Sequence, residues 1–141
     1  MLSRCSAKLR PWFRLVRLPN LLTVPGDPVV GACLAATAGA ILQPTSVVLT
    51  AIAVLLLYCF GVILNDLRDI EKDRQTRPDR PITSGRISPT AARITAGLCL
   101  GGALALSAAA AGQVFAGACT LALLITGYNV TFRHHTMVRS L

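Results

Sequence analysis

Two long runs without a single charge constrain this chain more than any other feature. Residues 28–65 contain no Asp, Glu, Lys or Arg, and neither do residues 94–132. One bilayer crossing takes roughly 20 apolar residues, so each run is long enough for nearly two. Each also has a natural break near its middle, at Gln43-Pro44-Thr45-Ser46 and at Gly112-Gln113. The expected fold is therefore all-α, a polytopic membrane protein in one unit, residues 1–141. Its four transmembrane helices fall at about 18–42, 45–65, 89–111 and 113–132, with a connecting motif loop at 66–88. Composition decides against a soluble domain. The chain is 53% hydrophobic and only 14% charged, more apolar than a water-soluble fold usually is.

A net charge of +8 on 141 residues raises the question of nucleic acid, but the positions of the charges answer it. Every Lys and Arg lies in residues 4–17, 68–93 or 133–139, and the connections near 43 and 112 have none. Basic residues collect on the cytoplasmic side of membrane proteins. The bias predicts an integral protein of the inner (cytoplasmic) membrane, with both termini and the 66–88 loop in the cytoplasm. The lipid bilayer is the partner it implies, and no nucleic acid is needed to explain it. Residues 2–16 mix Lys8, Arg10 and Arg14 with Leu9, Trp12, Phe13 and Val16, a pattern suited to the headgroup region. They lack the separate apolar core and cleavage site of a removable signal peptide, so the first span serves as the targeting signal. Cys5, Cys33, Cys59, Cys99 and Cys119 form no CxxC pair and read as small packing residues.

Proline and glycine interrupt the first span at Val24-Pro25-Gly26-Asp27-Pro28, which places Asp27 near the bilayer surface, at a kink or facing a wet cavity. The second helix is expected to run past its apolar part through Asp73. No breaker occurs before Arg77-Pro78, where the residue preceding proline resists helical geometry. Ser88-Pro89 reads as an N-cap followed by proline at the first helical position. Gly97 and Gly101 are spaced for close approach of another helix.

The charged stretch NDLRDIEKDRQTRPDRPITSG, residues 65–85, carries five of the six acidic residues. At 3.6 residues per turn Asp66, Asp69 and Asp73 point within an arc of roughly 60°, with Asn65 beside them. Like charges at three- and four-residue spacing repel, and a divalent cation relieves that. Mg²⁺ suits such a site because it binds through one or two carboxylates while keeping waters or phosphate oxygens. Lys72, Arg77 and Arg80 are candidate anion ligands. The two arginines flank Pro78 and Pro81, and guanidinium groups bind phosphate in bidentate fashion.

Asn65-Asp66-x-x-Asp69-x-x-x-Asp73, followed by Arg77-Pro78-x-Arg80-Pro81-Ile82-x-x-Gly85, resembles the first aspartate-rich motif of the UbiA superfamily of intramembrane prenyltransferases. The resemblance extends upstream to Arg17-Leu18-Pro19-Asn20-Leu21-Leu22 and downstream to Tyr128-Asn129. It implies that the spans correspond to the first half of a UbiA-type helical bundle. It further implies an isoprenyl diphosphate bound through Mg²⁺, its tail between helices, and transfer of the prenyl group to a hydrophobic, often aromatic, acceptor. By the same resemblance Asp66, Asp69 and Asp73 hold metal and Asn65 orients ligands. Arg77 and Arg80 contact diphosphate or acids, Tyr128 faces the cavity, and Arg133 stands where the family commonly has lysine; Lys72 and Asn20 are counted with them as substrate-binding candidates.

Family members usually have about twice this length and a second aspartate-rich motif. Here Asp79 is the only acid after Asp73, so the expectation is an incomplete chain corresponding to the amino-terminal half, for which a fragment, a truncated gene product and a half completed by a carboxy-terminal partner all fit. His134-His135 diverge by about 100° on a helix and do not read as a metal pair. The competing reading is a non-enzymatic four-helix membrane protein or transporter. A transporter would carry its key acid at mid-membrane, whereas these acids sit at a helix end.

Overall fold

The computed structural model describes the backbone of residues 2–138 and the side chains of residues 9–131. Among the described residues every regular element is a helix. They are α1 (Leu2–Leu15), α2 (Leu18–Leu21), α3 (Gly26–Thr37), α4 (Pro44–Arg68), α5 (Ile70–Thr76), α6 (Pro89–Ala110) and α7 (Gly112–Val138). Among the described residues three segments are long and apolar enough to cross a membrane: Pro44–Arg68, Pro89–Ala110 and Gly112–Thr131.

The segment expected as one span over 18–42 is divided between α2 and α3. The chain leaves helical pairing around Pro25 and again after Thr37, where Gly39 takes φ 87°. At about 1.5 Å per residue the 12 residues of α3 extend about 18 Å, short of a hydrocarbon core about 30 Å thick. The turn at residues 22–25, where Gly26 N–H donates to the Thr23 carbonyl at 3.0 Å, therefore separates the short α2 from α3.

α4 is the central element, packed against α6, α7 and α3. Its apolar face buries Ala53, Leu57, Phe60 and Ile63. On α6 the buried positions are Ala92, Ala96, Ala103 and Ser107, a stripe at spacings of four, seven and four that suits a helix crossing at a shallow angle. The close approach to α4 falls at Gly102, where an added Cβ would lie 3.2 Å from Leu56 Cδ1. Gly97 and Gly101, the pair expected to receive a neighbour, have nothing within 4 Å of where a Cβ would stand. Small residues do mediate the contact, but on the adjacent face. Ser46 Oγ donates to the Ala110 carbonyl at 3.0 Å and ties the start of α4 to the end of α6. Cys59 and Cys99 meet across the same interface, consistent with their reading as packing residues. A single extended residue, Ala111, turns α6 into α7.

At the other end of α4 a second core forms from Leu15, Phe60, Ile63, Ile82, Ile87, Ala92 and Ala96, with Trp12 and Val16 packed on it. This cluster gathers α1, α4, α6 and the loop after α5, and so positions the charged stretch.

Candidate functional site

The acidic motif begins on the last turn of α4. The helix does not run unbroken through Asp73 as its sequence suggests. It bends at Asp69, whose φ −88° and ψ 6° leave regular helical geometry before α5 begins. Backbone bonds bridge the bend, from Asp69 N–H to the Asn65 carbonyl at 3.0 Å and from Asp73 N–H to the Asp69 carbonyl at 2.7 Å. Asp66 and Asp73 thus stay on one inward face and are buried, while Asp69 is half-buried.

Arg80 lies between the two buried carboxylates. Its Nη1 donates to Asp66 Oδ1 at 2.9 Å and to Asp73 Oδ2 at 2.6 Å. The loop delivers it there through compact turns. Arg80 N–H donates to the Arg77 carbonyl, Ser84 N–H to Arg80 and Ile87 N–H to Pro81. Pro81, Ile82 and Ile87 are buried against the cluster beneath. Gly85, at φ 73°, supplies the left-handed residue that closes the turn.

The two proline-framed arginines therefore part company. Arg80 turns inward, whereas Arg77 and Lys72 are exposed to solvent. Asp69 makes no ion pair among the described residues, and the exposed pair Glu71–Arg74 is separate from the motif. No group of three or more Asp, Glu, His or Cys is gathered closely enough to hold a metal among the described residues. Two carboxylates do converge within reach of one cation, and their hard oxygens are the donors Mg²⁺ takes when it keeps waters in its remaining positions. In donor chemistry the motif fits that ion.

Beside the acids a cavity of about 510 Å³ opens between α4 and α7, in the size range of small-molecule sites. Leu57, Gly61, Val62, Leu124 and Ile125 give it apolar walls; Arg17, Asn65, Tyr58, Tyr128 and Asn129 supply its polar groups. Tyr128 and Asn65, both singled out from the sequence, are among its lining residues. Arg17, held in the left-handed region at φ 52°, both lines the cavity and lies close enough for its charge to act on Asp66. Arg68 Nη1 donates to the Asn129 carbonyl at 2.8 Å and joins the motif end of α4 to α7. Asn20 is exposed near Arg17, and its carbonyl accepts from Thr23 Oγ1. The Arg133 and His134 and His135 side chains lie outside the described residues.

Sequence reasoning missed Tyr58, Arg17, Asn129 and Arg68 as site residues. Tyr58 was open to detection, since it precedes Asn65 by seven residues and so shares its helix face. Its hydroxyl is buried and has no hydrogen-bond partner among the described residues. Removing a buried hydroxyl that has no partner relieves a desolvation cost. Tyr58→Phe is accordingly expected to leave thermal stability in detergent unchanged or slightly raised. A fall in the melting temperature equivalent to more than about 1 kcal/mol, the worth of a typical hydrogen bond, would show that the hydroxyl is satisfied after all.

Residues 28–141 match the model of the UbiA prenyltransferase family. The chain belongs to that family. The curated relatives it is similar to include proteins called digeranylgeranylglyceryl phosphate synthase. That of Metallosphaera sedula is 36% identical over 97 residues, 64% of this chain and 31% of the relative. That of Hyperthermus butylicus is 37% identical over 89 residues, 62% and 30% respectively. A solved structure from work on digeranylgeranylglyceryl phosphate synthase in membranes superposes with a TM-score of 0.80 at 25% identity, covering 90% of this chain and 45% of that one. The chain thus spans about a third of the length of the curated UbiA relatives it matches and under half of the solved chain.

Proposed function

We propose that the protein acts in transfer of an isoprenyl group from its diphosphate to a hydrophobic acceptor at the membrane. One observation carries this reading: an apolar cavity with Arg17 and Asn65 on its wall lies beside the buried Asp66–Arg80–Asp73 group. An amphiphile with a charged head and a hydrocarbon tail matches that layout. Family membership favours it over the transporter reading.

Asp66, Asp69 and Asp73, with Asn65 adjacent, would hold Mg²⁺, which when bound neutralises charge building on the leaving diphosphate. Lys72 and Arg77, exposed beside the motif, contact the diphosphate, and Arg133 and Asn20 complete the substrate contacts. In the transfer the allylic C–O bond breaks with both electrons passing to the diphosphate. The acceptor forms the new bond and gives up a proton. The cavity walls keep water from the electron-poor carbon, and the rings of Tyr58 and Tyr128 present aromatic faces suited to positive charge. The name shared by the relatives makes a prenylated glyceryl phosphate a suitable acceptor beside an aromatic ring.

Membranes containing the protein, supplied with labelled isoprenyl diphosphates and each acceptor class in turn, are expected to pass label to one of them only when Mg²⁺ is present. Label that never leaves the diphosphate would overturn the reading. Orientation is checked separately. With the charged loop cytoplasmic, Thr83→Cys in intact cells should resist an impermeant thiol reagent that labels Gln43→Cys and Gln113→Cys. The reverse pattern would invert the topology.

A further inference from the structure

We infer that Arg80 is a built-in counter-cation that the metal must displace, so that it sets metal affinity by competition. The inference rests on the reading of Asp66 and Asp73 as metal-holding groups. Both carboxylates are buried, and one nitrogen of Arg80 bridges them at 2.9 and 2.6 Å. Without a cation between them, two like charges removed from water would repel strongly. Arg80 therefore occupies the place a divalent ion would take.

Two features make this arrangement exchangeable. The hydrogen bonds to the acids run from Nη1 alone, so the guanidinium does not make the paired, parallel contacts that give arginine its strongest grip on a single carboxylate. The backbone that carries it is anchored independently through Ile82 and Ile87, so the side chain, itself part-exposed, can turn away while the loop stays seated. Charge decides which cation wins. One guanidinium leaves the cluster of Asp66, Asp69 and Asp73 with two uncompensated negative charges, whereas a divalent ion leaves one. The released guanidinium stands beside the site when an anion arrives.

Competition and simple support predict opposite outcomes. If Arg80 merely holds the carboxylates in place, removing it weakens metal binding. If it competes, removing it tightens binding, because apparent affinity falls by the fraction of time the site is blocked. Mn²⁺ binding, followed by electron paramagnetic resonance on protein purified in detergent, separates the two. Arg80→Met is expected to bind Mn²⁺ about tenfold tighter than the unsubstituted protein, the factor for a site blocked about nine-tenths of the time. Arg80→Lys, which restores a cation, is expected to return most of the way. Where Arg80→Met fails to fold, the unsubstituted protein decides. With isotope-labelled arginine, the guanidinium resonance of Arg80 should lose its restricted rotation as Mg²⁺ is added.

Mn²⁺ affinity that is equal or weaker in Arg80→Met overturns the displacement while leaving the metal reading intact. So does an Arg80 resonance unchanged at saturating Mg²⁺. Absence of any saturable Mn²⁺ binding to the unsubstituted protein overturns both.

Discussion

If the protein transfers a prenyl group as proposed, Asp69→Asn is expected to slow that transfer by roughly 10²- to 10³-fold while leaving expression and membrane insertion near normal. A single preorganised electrostatic group contributes on the order of 3 to 4 kcal/mol to stabilising charge in a transition state, which gives that factor. Asparagine keeps the shape and removes the charge. The structure makes Asp69 the cleaner of two tests. It is half-buried and has no ion pair among the described residues, so its loss orphans no arginine. Asp66→Asn should slow transfer by a similar factor, and Arg80 would keep Asp73 as a partner. Initial rates at limiting Mg²⁺ are the measurement. Full activity in both variants would mean that the aspartates do not hold metal.

The face shared by Asp66 and Asp73 was legible because helical periodicity alone sets it, and the bend at Asp69 hardly disturbs it. Arg80 was a different matter. Arg77 and Arg80 look equivalent in sequence, each followed by proline. Only the seating of Ile82 and Ile87 in a core built by α1, α4 and α6 turns one inward and leaves the other in solvent. Long-range packing made that choice, and no local pattern carries it. The apolar runs announced α4, α6 and α7, and Ser88 caps α6 as its residue type suggests, accepting from Ala91 N–H at 3.2 Å. The glycines of α6 were harder. Gly97 and Gly101 have the right spacing but face away, because the alanine stripe beginning at Ala92 fixes which side of the helix meets α4. Arg17 belongs to the site through a left-handed backbone conformation that its residue type does not favour.

Ile63→Ala is expected to destabilise the folded protein by about 2 to 4 kcal/mol, the usual cost of truncating a large side chain where the surroundings collapse only partly. Ile63 has no exposed surface, and it sits among Leu15, Ile82 and Ile87. These residues belong to α1 and to the loop that carries Arg80, so the void would lie under the ion-paired loop. Its effect should therefore be felt locally before it is felt globally. Trypsin cleavage after the exposed Arg86 should accelerate in Ile63→Ala under conditions where the helices remain intact. The control is Leu98→Ala. Leu98 is 71% exposed on α6, on a surface suited to lipid, and trimming it there opens no internal cavity. Reversible unfolding in detergent should rank the two variants far apart, with Leu98→Ala within about 0.5 kcal/mol of the parent, as for substitutions away from packed features. If both variants unfold alike and Arg86 is cleaved no faster in Ile63→Ala, the loop is held by its ion pairs and not by this core.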